Sequence, residues 1–218
     1  MTQSRFKCAP WVESLNKAIR CGGTKNKRLI KANKYMQLAT TAVDGRPHVR
    51  TVVFRGFYTG QRYNPWAMTF ITDMRSTKIQ DLRKNAFAEV CSWISGANTQ
   101  FRISGRMHVL TADSDEIDLK IRQDLWSKLP RHTTAFCTWK APGQPKDGSY
   151  SDSSEIKDIE GDDDAHPNFC VLVLEPDFVD HLRLGSNQAR WIYKYNSHQS
   201  NPDDDGGSPI WTEKEVTP

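Results

Sequence analysis

The chain has 218 residues, of which 37% are apolar and 26% charged, with a formal net charge of +4. That composition suits a globular protein with a core and excludes a disordered or fibrous chain. The basic excess is too small and too scattered to point to nucleic acid, and no apolar run approaches the roughly 20 residues that span a membrane.

Taken in order, Pro10 to Arg20 reads as a short helix, with Trp11, Leu15, Ala18 and Ile19 in one apolar stripe and Pro10 in the first turn. Lys25 to Lys34 is a basic helix or loop. Tyr35 to Val43 is a strand, and Asp44-Gly45 is a hairpin signal. The return strand, His48 to Phe57, alternates with period two. Ala67 to Thr72 is the next strand. A helix over Thr77 to Lys84 follows, with Asp73 or Ser76 as its N-cap. Ala86 to Ile94 and Thr99 to Leu110 are two more strands, and Asp113 to Leu129 and Thr133 to Trp139 are helices. Gly143 to His166 reads as an acidic surface loop. Asn168 to Glu175 and Phe178 to Leu184 are the last two strands, before a mixed basic and aromatic stretch, Gln188 to Tyr195. The pattern fits a mainly β fold with α additions, a six- to seven-stranded antiparallel barrel flanked by short helices, in a single domain over 1–218.

The five cysteines are odd in number and contain no Cys-x-x-Cys pair, so neither a zinc site nor a disulfide framework is expected. Cys91 and Cys170 lie in apolar runs, where a small buried thiol is the ordinary reading. Met1 to Arg20 lacks the apolar core of a signal peptide. An intracellular, cytoplasmic protein is therefore expected, with organelle targeting by a removed or unseen segment as the alternative.

Four constellations carry candidate chemistry, the last being Gly185 to Tyr195, whose Arg190, Trp191 and Lys194 mix cations and aromatics as ligand pockets and dimer interfaces both do. Arg50 and Arg55 interrupt an apolar strand, one on each face; a guanidinium offers a planar fork of donors suited to phosphate or carboxylate. They are read either as ligands for an anion or as solvated edge-strand residues. Thr72 to Lys78 joins a strand to a helix start, where free backbone N–H groups, the Ser76 and Thr77 hydroxyls and the Arg75 and Lys78 charges could cradle a phosphate. It lacks P-loop spacing. Gln100, early in its strand, could meet a ligand ring edge. No nucleophile elbow, zinc-protease motif or dinucleotide glycine fingerprint is present, and no residue stands out as a catalytic acid or base.

These pieces, in this order, resemble the FMN-binding split-barrel family of pyridoxamine phosphate oxidases. The matching motifs are Arg50 to Arg55; Thr72, Asp73, Ser76 and Lys78; Gln100 to Gly105; and Trp211, Val216 and Pro218. The resemblance implies FMN contacts from Arg50, Thr51, Val52, Val53 and Arg55, and from Thr72, Asp73, Ser76, Thr77 and Lys78, with Gln100 approaching the isoalloxazine. It implies a homodimer with FMN at the subunit interface, the second subunit contributing Trp139, Lys140, Arg183 and Lys194. The chain departs from the family where the substrate phosphate is gripped. A Tyr…Arg-Pro…Ser set is replaced by Leu125 to Thr133, and an Arg-Leu-His-Asp-Arg motif by Arg190 to Lys194. Arg55, Arg131 and Arg190 remain as candidate contacts to an anionic small-molecule substrate. The expected function is an FMN-dependent oxidoreductase acting on an unidentified small substrate. The alternatives are a non-catalytic module carrying FMN or haem, and a genuine pyridoxamine 5'-phosphate oxidase.

Overall fold

The computed structural model describes residues 9–20, 25–145, 164–196 and 211–218. Cys8, Cys21 and most of the predicted acidic loop lie outside these residues.

The chain opens with α1 (Pro10–Ile19) and α2 (Lys27–Ala32). The α1 stripe is buried as predicted, with Val12 added to it. Asn26 caps α2 by accepting from the backbone N–H groups of Arg28 and Leu29. The strands follow as β1 (Tyr35–Thr41), β2 (Pro47–Val53), β3 (Gly56–Phe57), β4 (Met68–Asp73), β5 (Phe87–Ile94) and β6 (Thr99–Leu110), with α3 (Thr77–Lys84) between β4 and β5. Then come α4 (Glu116–Lys128), α5 (Arg131–Thr134), β7 (Phe169–Arg183), β8 (Ala189–Tyr195) and β9 (Trp211–Val216). The main sheet path runs β2-β1-β5-β6-β7-β4-β3, seven strands, and β8 and β9 branch from β7. All pairings are antiparallel. The mainly β, split-barrel expectation holds.

The helix expected over Thr133 to Trp139 is the short α5 followed by a 3-10 turn, Ala135–Thr138, and the strands β8 and β9 were not expected. Two further differences shape the sheet. The strand over His48 to Phe57 is broken: β2 ends at Val53, and the chain crosses at Phe54 and Arg55 to the far end of the sheet path. There β3 pairs with β4. Phe54 N–H donates to Lys34 O at 2.8 Å and Arg55 N–H to Thr69 O at 2.9 Å. The two ends of the path are thus joined by two residues, which curls the sheet. Side-chain alternation runs unbroken through the crossing, so periodicity alone carried no sign of it.

The two predicted strands on either side of Pro176 are one long strand, β7, which absorbs the proline at a register shift opposite Ser104/Gly105. A proline lacks the ladder donor, and a bulge is where a strand tolerates that. A Cβ on Gly105 would lie 2.0 Å from Glu175 O, so only glycine allows this close approach.

The first half of β7 is buried on both faces, which explains its nearly continuous apolar run. Cys170, Leu172 and Leu174 pack in the main core with Met36, Leu38, Val90 and Ile103. Phe169, Val171 and Val173 pack in a second cluster under α4. Arg122 of α4 is buried and donates to the carbonyls of Phe169, Ala165 and His166. Cys170 is buried as expected, and burial pushes its thiol up to about 12. Cys91 is not: it is only half-buried, on the outer face of β5. Among the described residues no helix is long and apolar enough to cross a membrane.

Candidate functional site

The end of β4 and the start of α3 bring three predicted residues together. Lys78 Nζ donates to Thr72 Oγ1 at 2.8 Å and to Ser76 Oγ at 2.9 Å, and the two hydroxyls lie 3.3 Å apart. Ser76 occupies the N-cap position of α3 but makes no side-chain cap bond. Its hydroxyl is turned to Lys78 instead of stabilising the helix. No carboxylate pairs with Lys78 among the described residues. Its pKa is lowered, first by burial and then by the neighbouring positive charge of Arg50. A half-buried ammonium beside a second cation is a place an anion would relieve.

Arg50 enters from β2. Its Nη1 donates to Thr40 Oγ1 at 2.6 Å, His48 O at 3.1 Å and Leu38 O at 3.3 Å, and its Nη2 to Asp81 Oδ2 at 3.2 Å. Asp81, Thr40 and His48 were not singled out from the sequence. Asp81 follows Lys78 by one helical turn, a spacing that places both on one face of α3 and could have flagged it.

The other predicted residues divide by face. Cross-strand partners share a face. Arg50 lies opposite Leu38, on the side facing the core and α3, whereas Thr51 and Val53 lie opposite Gln37 and Tyr35 on the outer side. Val52 is buried in the core. Gln100 lies opposite Trp93, on the outer face. β2 ends the main sheet path, so one side of its backbone is left unpaired by the sheet. Arg55 sits at the crossing with its Nε buried and without a partner, and burial lowers its pKa. Asp73 points away from the Lys78 cluster: both its oxygens accept from Arg75, which also donates to Trp139 O. Asp73, Trp139 and Lys140 line a cavity of about 520 Å³ with Phe136 and the loop to Pro145. Thr77 opens α3 and is exposed.

Three predicted arginines lie away from the Lys78 cluster. Arg190 is held by Asp180 at 2.9 and 2.7 Å. Arg183 lies over the Trp191 ring, 5.0 Å from its centroid. Arg131 is exposed at the start of α5. Lys194 is exposed and lies at the opposite end of the β7–β8 ladder from Arg183, so the two do not converge within one protomer.

The family model described as "Pyridoxamine 5'-phosphate oxidase, FMN-binding domain" matches residues 8–111, the segment that contains β1 to β6 and the Lys78 cluster. The chain is 33% identical over 211 residues to pyridoxine/pyridoxamine 5'-phosphate oxidase 2 of Arabidopsis thaliana, covering 96% of this chain and 98% of the relative. The chain belongs to the pyridoxamine 5'-phosphate oxidase FMN-binding family. A solved structure of a pyridoxamine 5'-phosphate oxidase-related, FMN-binding protein from Nostoc punctiforme superposes with a TM-score of 0.79 at 31% identity, over 96% of this chain and 98% of that one. PhzG from Burkholderia lata, at 18% identity and a TM-score of 0.61 over 85% and 83% of the two chains, shares the fold. Within the family frame, the Lys78 cluster fits the phosphate of FMN on its own chemistry: two hydroxyls, an ammonium paired with no carboxylate among the described residues, and a guanidinium alongside.

Proposed function

We propose that the protein binds FMN and acts as an FMN-dependent oxidoreductase on a small organic substrate. The observation that carries this reading is Lys78, half-buried, unmatched by any carboxylate among the described residues, and held against Thr72 and Ser76 beside Arg50. Lys78 and Arg50 supply charge to the phosphate, and the Thr72 and Ser76 hydroxyls supply donors once Lys78 turns to the ligand. The unpaired edge of β2 offers backbone N–H and C=O groups to a planar ring, and Thr51, Val53 and Gln100 share the outer face beside it. When bound, the flavin supplies the hydride- and electron-accepting chemistry, and the chain supplies orientation and electrostatics.

We place the second subunit on that outer face. Tyr35, Val49, Phe87 and Trp93 are exposed there at 46%, 65%, 58% and 45%. These four side chains are spread over three strands of one face that also carries the Glu89–Arg102 pair, a mixed apolar and charged surface of the kind a partner subunit covers. Trp139, Lys140, Arg183 and Lys194 would then approach the flavin from the partner, and Arg55 and Arg131 would face an anionic substrate.

A second reading, pyridoxamine 5'-phosphate oxidase activity, is favoured by the near full-length Arabidopsis relative. Against it, Leu125, Trp126 and Leu129 stand where the family grips the substrate phosphate, and they pack on the second core cluster. Arg190 is matched by Asp180.

The test is the absorbance spectrum of the purified protein, followed by mass identification of the released ligand and sedimentation of the loaded protein. A yellow dimer with one FMN per subunit is expected. A colourless protein that takes up no added FMN would end the reading, and a haem spectrum would move it to a carrier module. A direct assay for pyridoxal phosphate decides between the two substrate readings.

A further inference from the structure

Asp81 is the most deeply buried carboxylate among the described residues, with its side chain 2% exposed. Its Oδ2 accepts from Thr40 Oγ1 at 2.7 Å, lies 3.0 Å from His48 Nδ1 and accepts from Arg50 Nη2 at 3.2 Å. Three elements therefore meet on one oxygen: α3 supplies the acid, β1 the threonine and β2 the histidine and arginine. Burial pushes the Asp81 pKa up, but the hydrogen bonds from Thr40 and His48 and the charges of His48 and Arg50 outweigh it and hold the carboxyl below the usual range.

The consequence falls on Arg50. Its Nη1 is saturated by Leu38, Thr40 and His48, and one Nη2 hydrogen is taken by Asp81. The Nε hydrogen and one Nη2 hydrogen are left, and these form a side-on pair that suits two phosphate oxygens. Without Asp81 the guanidinium would keep only its contacts through Nη1 and could swing about them.

We propose that Asp81 is a positioning residue: it fixes the plane of Arg50 so that the free side-on edge meets the phosphate end of FMN, and it separates the like charges of Arg50 and Lys78 before the ligand arrives. The inference rests on the FMN reading above. It makes Asp81 a determinant of phosphate recognition and not of flavin-ring binding.

The experiment measures dissociation constants of FMN and of riboflavin, which lacks the phosphate, on the full chain by quenching of flavin fluorescence. Asp81→Asn keeps the shape and removes the charge. It is expected to weaken FMN roughly tenfold and leave riboflavin unchanged, since one charge-assisted contact is lost. In an Arg50→Ala background the same substitution should then cost nothing further. Equal losses for both flavins would mean a merely structural role and overturn the proposal. Unchanged or tighter FMN binding, the outcome of removing a negative charge alone, would overturn it too. If Asp81→Asn does not fold, His48→Ala at a partly exposed position gives the same reading. A lowered FMN-to-riboflavin preference supports the proposal, and an unchanged preference refutes it. A wild-type chain that binds neither flavin overturns the FMN reading itself. A wild-type chain that prefers FMN, with variants that match it, overturns the inference alone.

Discussion

Two regions of this sheet hold the same kinds of residues and do opposite things with them. On the outer face, Arg102 is locked to Glu89 at 2.8 and 3.2 Å, Arg190 is locked to Asp180, and Arg102 also lies 3.7 Å from Asp180. Two cations meet two carboxylates, and the local charge closes to zero. Around α3, Asp81 pairs with Arg50, while Lys78 makes its hydrogen bonds to Thr72 and Ser76 and no carboxylate pairs with it among the described residues, so one positive charge is left over. The lesson is that an arginine in an apolar strand says little until its partners are known. A matched pair stabilises a surface modestly, whereas an unmatched, half-buried cation is a standing invitation to an anion.

The contrast can be broken at several points. The largest effect is expected from Gly105→Ala, which strikes the frame both regions share. Its Cβ would meet the Glu175 carbonyl at 2.0 Å. A loss of about 3 kcal/mol, or roughly 6–12 °C in Tm, should appear in thermal unfolding. An unchanged Tm would show that the bulge relaxes freely. Next, Lys78→Met should weaken FMN by roughly 100-fold, since a charged contact to the phosphate is removed. Retained affinity, read by fluorescence titration, would move the phosphate elsewhere.

The third prediction concerns pH. Lys78 is charged below its folded pKa, which lies under the ordinary 10.5. FMN affinity should therefore fall as pH rises through that lowered value, and Lys78→Met should abolish the slope. Without ligand the sign reverses. The unfolded chain keeps the Lys78 proton up to the ordinary value while the folded chain has released it, so folding gains stability across the same window. The difference in unfolding free energy between wild type and Lys78→Met, followed as pH rises to the ordinary value of 10.5, checks this. The smallest effect is expected from Arg190→Ala: because Asp180 already neutralises it, FMN affinity should change less than about threefold. A larger loss would place Arg190 among the ligand contacts after all.

Much of this was legible in the sequence where the signal is local. The α3 range and the β6 range follow from periodicity and punctuation alone, and Thr72, Ser76 and Lys78 were joined because they sit within one strand-to-helix turn. What could not be read needs distant partners. The break after Val53 leaves alternation intact, and it exists because Lys34 and Thr69 supply acceptors from elsewhere. Pro176 reads as the end of a strand until Gly105, on another strand, makes room for it. Arg50 and Arg190 look alike as letters; only Asp81 and Asp180, brought in by α3 and β7, separate their roles. Asp73 looked like part of the phosphate cradle, yet strand alternation turns it from Thr72 toward Arg75 and the Trp139 cavity.

The double burial of β7 also bears on how the molecule assembles. Met68 pairs with Leu174 and Leu110 with Val171, so this strand must wait for one neighbour encoded far upstream in the chain and another beyond α4 and α5. Such long-range closure slows the approach to the native state. Until it happens, the stretch Phe169–Leu174 presents unbroken greasy, hydrogen-bond-hungry backbone to other nascent chains. Yield on expression should therefore depend more on growth temperature and chaperone supply than on the strength of the finished core.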